Sequence, residues 1–225
     1  MHVQYRNLRE WLTQIEAIGG LKKVEGATAE EDAGMLAEML AHTEDAPAVL
    51  MDAIPGYPKG NRLLINANGA RPRIAHTFGF DHHTESFKLV ESLAERLQGM
   101  QPLPPVAVET GPVMENVIKG SDIDLNKYPA PIWHPEDGQR YIGTGCYLIT
   151  RDPEEGWINV GTYRVMLEGK DQVGFYVSPG HHGRLHREKY FAQGKPCPVA
   201  VVLRGDPLLM IAGSLEVPWG TSEYD

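Results

Sequence analysis

Between Gln101 and Pro105 the chain reads Gln-Pro-Leu-Pro-Pro. Each proline lacks an N–H and fixes its own φ, and the residue before it is pushed out of the helical region. Neither a helix nor an interior strand runs through such a segment, so it reads as a stiff, extended linker. It divides the chain into residues 1–100 and residues 106–225, whose apolar patterns differ.

The first part reads as an αβαβ run. Asn7 is placed to cap a helix in which Leu8, Trp11, Leu12, Ile15 and Ile18 recur at helical spacing, and Gly19-Gly20 ends it. Leu21 to Val24 is a strand candidate. Thr28, with Glu31 three residues on, has capping-box spacing ahead of Ala33, Leu36, Ala37 and Leu40. Ala48–Met51 and Leu63–Ile65 read as buried strands around a Pro55-Gly56 turn. A helix starting near Thr84 is expected to turn Phe87, Val90, Leu93, Ala94 and Leu97 inward and to stop at Gly99. The second part is mostly β. Val106–Val108, Tyr147–Thr150, Gly161–Leu167, Gly174–Val177 and Val199–Leu203 are strand candidates, with one helix around Arg184–Gln193. Short strands at this spacing suggest a barrel or sandwich.

Composition removes several functional classes. The formal net charge is −9, the wrong sign for a surface that meets nucleic-acid phosphates or an anionic membrane. No apolar run approaches the roughly 20 residues of a membrane span, and the first residues lack a signal peptide's apolar stretch. Two cysteines, Cys146 and Cys197, are too few for a disulfide scaffold. These features predict a reduced, cytoplasmic protein.

The residues with chemical potential crowd between Tyr128 and Arg164. Tyr-Pro-Ala-Pro-Ile-Trp-His-Pro-Glu-Asp-Gly fills 128–138, where prolines restrict the backbone without secondary structure. Such a run is either a plain surface loop or a rigid wall for a site. Tyr-Ile-Gly-Thr-Gly-Cys at 141–146 lets backbone N–H groups approach a phosphate or ring. It is not a dinucleotide fingerprint, because the third glycine is missing and a strand follows. Asn159 and Arg164 would face opposite sides of a regular strand. Gly161 between them allows a bulge that turns both toward one cavity. An arginine there suits a carboxylate, although a cross-strand ion pair is an equally simple use for it. His182 and His186 have the i, i+4 spacing of a zinc pair, with Cys197 as a third candidate. No Glu follows in the metalloprotease pattern, and a surface histidine cluster is the commoner meaning of such a run. Glu223 is either a cation ligand or a solvated carboxylate.

Taken in order and at these spacings, the segments resemble the N-terminal half of the UbiD-type decarboxylases, enzymes that use prenylated FMN. The matching stretches are the 128–138 run, Tyr-Ile-Gly-Thr-Gly, Asn159-x-Gly-Thr-Tyr-Arg164, the His182 region, Gly-Asp-Pro, and Val-Pro-Trp-Gly-Thr-Ser-Glu223. The opening Leu-Arg-Glu-Trp-Leu helix and Gly-Gly-Leu-Lys-Lys-Val fit as well, so the resemblance spans essentially the whole chain.

The resemblance implies an α/β N-terminal domain followed by a β-rich flavin-binding domain of split-barrel type, α+β in all. By position, Asn159, His182 and Glu223 would hold Mn2+ or Mg2+ against the cofactor phosphate, with a K+ or Na+ ion nearby. Oxygen and imidazole donors suit such an ion. Thr144, Gly161, Thr162, His181 and Arg164 join those three as cofactor contacts. Arg164 takes the catalytic role of orienting the substrate carboxylate. The implied reaction is reversible, non-oxidative decarboxylation of an aromatic or α,β-unsaturated acid through a cofactor adduct.

Implied partners are the small carboxylic acid, a flavin prenyltransferase that supplies cofactor, the C-terminal half or a second subunit, and further copies of the chain in a homo-oligomer. The family's two acid–base glutamates belong to sequence after Glu223, and the chain is expected to be incomplete for turnover. The alternative is a non-catalytic flavin- and metal-binding subunit, or an inactive fragment of such an enzyme. A flavin reductase or oxidase on a similar barrel is a third class, without a nucleotide fingerprint to support it.

Overall fold

The computed structural model describes residues 3–225, so the first two residues of the expected N-terminal domain lie outside the described residues. Helix α1 (Leu8–Ala17) begins where expected: the Asn7 side chain accepts from the N–H groups of Arg9 and Glu10. Strand β1 (Leu21–Glu25) pairs in parallel with β2 (Ala48–Asp52). A parallel pair needs a long crossover, and helix α2 (Asp32–Ala41) supplies it. Strand β3 (Leu63–Ile65) adds to the other edge of β2, antiparallel.

The unbroken apolar run of β2 follows from burial on both faces. Ala48 and Leu50 join Trp11, Ile15 and Leu21 on one side, while Val49 and Met51 join Ala29, Ala33 and Ile65 on the other. The Trp11 indole N–H, buried with its ring, donates to Thr77 Oγ1 at 2.9 Å. The expected cap of α2 is shifted by one residue. Thr28 Oγ1 does accept from the Glu31 N–H at 3.3 Å, but the reciprocal carboxylate is Asp32, which accepts from the Thr28 N–H at 2.7 Å. Asp32 is short enough to turn back onto Thr28 within the same turn.

Helix α3 (Arg71–Thr77) has little apolar periodicity and was not anticipated. Its organising residue is Arg73, 2% exposed, which donates to the carbonyls of Ala46, Asn66 and Ala67 at 2.7, 2.8 and 2.9 Å. Helix α4 (Ser86–Gln98) exists and ends at Gly99, but the face assigned to it is wrong. Phe87 and Val90 are 84% and 67% exposed, while Leu89 is buried. The apolar arc of this helix is wider than one packing stripe. Arg96 settles the orientation: it donates to the Phe78 carbonyl at 2.7 Å and lies 3.7 Å over the Phe80 ring.

The proline segment is extended and exposed, and Val106–Val108 forms no strand. Single turns of 3-10 helix follow at Pro112–Met114, Gly120–Asp122 and Leu125–Lys127. The chain then returns to the first part. Trp133 packs against the cluster around Met51. The close approach is made at Gly34 of α2, where an added Cβ would collide with the Trp133 carbonyl oxygen and stand 3.2 Å from that of Ile132.

The remaining strands are β4 (Tyr141–Gly143), β5 (Tyr147–Arg151), β6 (Ile158–Gly161), β7 (Val165–Leu167), β8 (Val173–Phe175) and β9 (Val199–Val202). They form two antiparallel three-stranded sheets, β4-β7-β8 and β6-β5-β9, with no closed barrel among the described residues. The single strand expected over Gly161–Leu167 is two, broken at Thr162–Arg164 where the chain changes sheet. Cys146, Leu148 and Val165 form a shared core with Ile142, Val173 and Val201, so both sheets contribute to one apolar interior. Helix α5 (His182–Ala192) starts two residues earlier than expected, and helix α6 (Pro207–Ala212) was not anticipated. The Asp206 side chain caps α6 through the Leu208 N–H at 2.8 Å and also accepts from the buried Tyr5 hydroxyl at 3.2 Å. Among the described residues no helix is long and apolar enough to cross a membrane.

Candidate active site

The β5–β6 hairpin sets Asn159 opposite Thr150, and both side chains are buried. The Asn159 amide donates to Thr150 Oγ1 at 3.4 Å. Strand β6 is the edge of its sheet, so half its backbone groups need partners from elsewhere. The segment after α6 supplies them. The Thr162 N–H donates to the Gly213 carbonyl at 3.2 Å, and the Val160 N–H donates to Glu223 Oε2 at 2.8 Å. Glu223 is therefore fixed one residue from Asn159 by the edge strand itself.

His182 is the first residue of α5. Its ring stands edge-to-face against Trp157 at 5.2 Å and Trp219 at 5.4 Å, a geometry that aromatic quadrupoles favour. These two tryptophans pack against the His182 ring and limit its rotation. His182 is also close enough to act electrostatically on Glu223. Burial pushes the Glu223 carboxyl above the usual carboxylate range, and the N–H groups of Val160 and Glu223 and the His182 ring only partly offset it. Asn159, His182 and Glu223 thus come together at the edge of β6 and the head of α5. An amide oxygen, an imidazole and a half-buried carboxylate bonded by backbone N–H groups form a donor set that fits a divalent ion of the manganese or magnesium type.

Tyr163 closes the other side of this cluster. Burial raises its hydroxyl, while the Asn159 amide and the Gly183 N–H favour ionisation. A Cβ on Gly161 would overlap the Tyr163 ring, so this glycine has a packing role of its own. Thr162 is half-buried and its hydroxyl accepts from Ser214 at 3.4 Å. His181 is exposed, with its ring 6.1 Å from that of Tyr163.

Arg164 and Thr144 lie elsewhere. Both are exposed, and both line a cavity of about 730 Å3 between the two parts of the chain. Leu12, Leu64, Trp133 and Met210 contribute apolar wall, and the Arg164 guanidinium lies 5.5 Å over the Tyr141 ring. The expected bend after Gly161 occurs, but it does not turn Asn159 and Arg164 into one cavity: Asn159 is not among the cavity's lining residues. The chain crosses between sheets at Tyr163, whose carbonyl accepts from Cys146 Sγ at 3.3 Å, so Asn159 belongs to the sheet before the crossing and Arg164 leads into the sheet after it.

The zinc reading of His182, His186 and Cys197 fails. Among the described residues the one set of three His, Cys, Asp or Glu side chains with clustered ligand atoms is Asp81, His82 and His83, in the loop between α3 and α4. His186 is instead fully buried, with Nδ1 3.0 Å from Thr150 Oγ1. Thr150 was missed, and His186 was singled out for a metal it does not hold rather than for its bond to Thr150. The signals were a hairpin register that pairs residue 150 with 159 and the i, i+4 step from His182.

Residues 105–225 match the family profile described as "UbiD: 3-octaprenyl-4-hydroxybenzoate carboxy-lyase Rift-related domain". A pyrrole-2-carboxylic acid decarboxylase of Pseudomonas aeruginosa is 32% identical over 79% of this chain and 37% of its own length. A phenolic acid decarboxylase of Sedimentibacter hydroxybenzoicus is 31% identical over 98% of the chain and 47% of its own length. The solved closed form of the vanillic acid decarboxylase from that organism superposes with a TM-score of 0.90 at 31% identity, covering 98% of this chain and 47% of that one. An evolved dimeric form of the UbiD-class enzyme HmfF from Pelotomaculum thermopropionicum, in complex with prFMN, superposes with a TM-score of 0.83 at 26% identity, over 97% and 49% of the two chains. The chain spans about half the length of these relatives.

Proposed function

The chain belongs to the UbiD family, and from that membership we propose that it forms the cofactor-binding half of a prenylated-FMN-dependent decarboxylase acting on an aromatic or α,β-unsaturated carboxylic acid. The observation that carries this reading is the convergence of Asn159, His182 and Glu223, with the Glu223 carboxyl half-buried and bonded by the Val160 N–H rather than by a basic side chain. In this reading residues 1–100 and 106–225 act as the N-terminal and flavin-binding domains, the latter of split-barrel type. The shared core beneath the two small sheets supports that description.

Asn159, His182 and Glu223 would hold a manganese or magnesium ion, with a potassium or sodium ion beside it. That positive charge would neutralise the flavin phosphate in a protein of net charge −9. The N-terminal turn of α5 at His181 and His182 adds backbone N–H groups and the positive end of a helix dipole. The modified flavin supplies the electron sink for the breaking carbon–carbon bond. Arg164 binds the substrate carboxylate through its planar fork and holds it for loss of carbon dioxide. Thr144, on the same cavity wall, and Gly161 and Thr162, on the turn before Arg164, belong to the cofactor's surroundings. The proton that replaces carbon dioxide is supplied by the C-terminal half or a second subunit. A flavin prenyltransferase provides the cofactor, and further copies of the chain complete a homo-oligomer.

One observation favours a second reading, a non-catalytic flavin- and metal-binding subunit: Arg164 lines the cavity between the two parts of the chain, and none of the three ion ligands does. Co-expression with a flavin prenyltransferase and manganese, followed by native mass spectrometry, tests both. The expected species carries one prenylated FMN and one manganese, and Glu223→Gln loses the two together. Unchanged manganese content in Glu223→Gln would overturn the site. Retained flavin without carbon dioxide release, after the second half is supplied, would favour the subunit reading.

A further inference from the structure

Behind the three ion ligands runs a line of buried polar groups. Asp152 is 1% exposed and accepts through Oδ1 from the N–H groups of Glu154 and Glu155, both at 2.8 Å. Its Oδ2 accepts from Lys189 Nζ at 2.8 Å and stands 3.7 Å from His186 Nε2. That nitrogen is buried and has no hydrogen-bond partner. On the other side of the ring, Nδ1 is 3.0 Å from Thr150 Oγ1, and Thr150 accepts from the Asn159 amide at 3.4 Å.

We propose that Asp152, His186 and Thr150 form a relay that fixes which end of the Asn159 amide faces the ion site. His186 has two neutral tautomers. If Nδ1 carried the proton, the Nε2 lone pair would face the ionised Asp152 carboxylate across 3.7 Å, an unfavourable arrangement in a buried setting. With the proton on Nε2, the lone pair of Nδ1 accepts the Thr150 hydroxyl proton. The oxygen of Thr150 is then an acceptor only, and it selects the NH2 end of Asn159. The Tyr163 hydroxyl takes the amide's donor side as well. The carbonyl oxygen of Asn159, the end able to bind a cation, is left for the site. Burial drives the His186 imidazole well below its usual range, to about 4, so the ring stays neutral and the distinction between tautomers persists at physiological pH. Asp152, His186 and Thr150 are positioning residues. They touch neither substrate nor cofactor, and they act through Asn159.

The inference rests on the proposed role of Asn159 as an ion ligand, and the test separates the two. Long-range 1H–15N spectra of the unaltered protein report the His186 tautomer without any metal. Protonated Nε2 and unprotonated Nδ1 are expected, and the opposite assignment overturns the relay. Manganese affinity is then measured for Thr150→Val, Thr150→Ser and Asn159→Ala. Outer partners of ion ligands typically contribute about 10- to 100-fold in affinity. Thr150→Val is expected to lose that much while still folding, with a lowered melting temperature because it leaves buried polar groups unpaired, and Thr150→Ser to recover both. Wild-type affinity in Thr150→Val, when Asn159→Ala has lost binding, refutes the relay alone. Wild-type affinity in Asn159→Ala refutes the ligand assignment, and the tautomer still decides the relay. The tautomer also decides it if Thr150→Val does not fold.

Discussion

Gly34→Ala is the substitution for which local and tertiary physics disagree in sign. In an isolated helix, replacing glycine by alanine gains about 1 kcal/mol. Gly34 lies inside α2, and the helix's own backbone permits alanine there. Its neighbour does not. The added Cβ would collide with the Trp133 carbonyl oxygen and come within 3.1 and 3.2 Å of two further main-chain atoms of Trp133 and Ile132. These atoms cannot rotate aside as a side chain would, so the 129–134 segment must move as a unit. Overpacking of this kind costs typically about 1–3 kcal/mol, and Trp133 would lose part of its contact with the cluster around Met51. The expected net change is a loss of about 1–2 kcal/mol. For a chain of this size that lowers the melting temperature by about 2–8 °C. Calorimetry or urea titration reads the stability, and a shift in tryptophan emission reads the displaced ring. Met35→Ala, at an exposed position of the same helix, serves as the control, with a change within about 0.5 kcal/mol. A Gly34→Ala protein that melts at or above the wild-type temperature with unchanged emission would refute the packing argument.

Two further outcomes are expected. Arg164→Ala should leave flavin and manganese content unchanged while lowering kcat/KM of the reconstituted enzyme by at least about 100-fold; comparable loss of flavin would assign Arg164 to cofactor binding instead. Burial alone would raise the Asp152 carboxyl, but the Glu155 N–H, Lys189 and the Glu154 N–H hold it down at about 2, from 3.8. Because the folded value is the lower one, this stabilisation is present above pH 4 and is lost as pH falls toward 2. Unfolding free energies from urea titrations across pH 5 to 2 should therefore fall by about 2 kcal/mol more in the wild type than in Asp152→Asn, and parallel curves would remove Asp152 from the acid limb.

Much of the first part was legible because its signals are local. Asn7 caps a helix with its own side chain, and the unbroken apolar run of β2 announces burial on both faces. Helix α3 was invisible because its anchor is Arg73, whose three carbonyl partners cannot be inferred from hydrophobic spacing. The face of α4 was misjudged for a related reason: its apolar arc offers two packing stripes, and Arg96 over Phe80 decides between them. In the second part the β-rich character was readable, but the break at Thr162–Arg164 was not, since strand propensity runs straight through it. The chemistry-bearing residues were recognised by the order of their motifs. The resemblance also grouped Asn159, His182 and Glu223, but the separate place of Arg164 was not legible, because it requires knowing that the chain changes sheet at Tyr163. Thr150 carries no motif at all, and the i, i+4 step that drew attention to His186 suggested zinc, whereas hairpin register and burial pair it with Thr150.

The bond between Tyr5 and Asp206 joins residues 201 positions apart. At typical synthesis rates of about 5–20 residues per second, the partner of Tyr5 emerges roughly 10–40 s after Tyr5 itself. Helices and hairpins form within microseconds, so α1 and the first sheet have ample time to assemble while the Tyr5 hydroxyl still waits for Asp206. The first part must therefore tolerate one unmet hydroxyl at its margin until Asp206 emerges. The carboxylate that caps α6 through the Leu208 N–H is the same one that then meets the waiting Tyr5 hydroxyl, so a single side chain ties a late helix start to the opening of the chain.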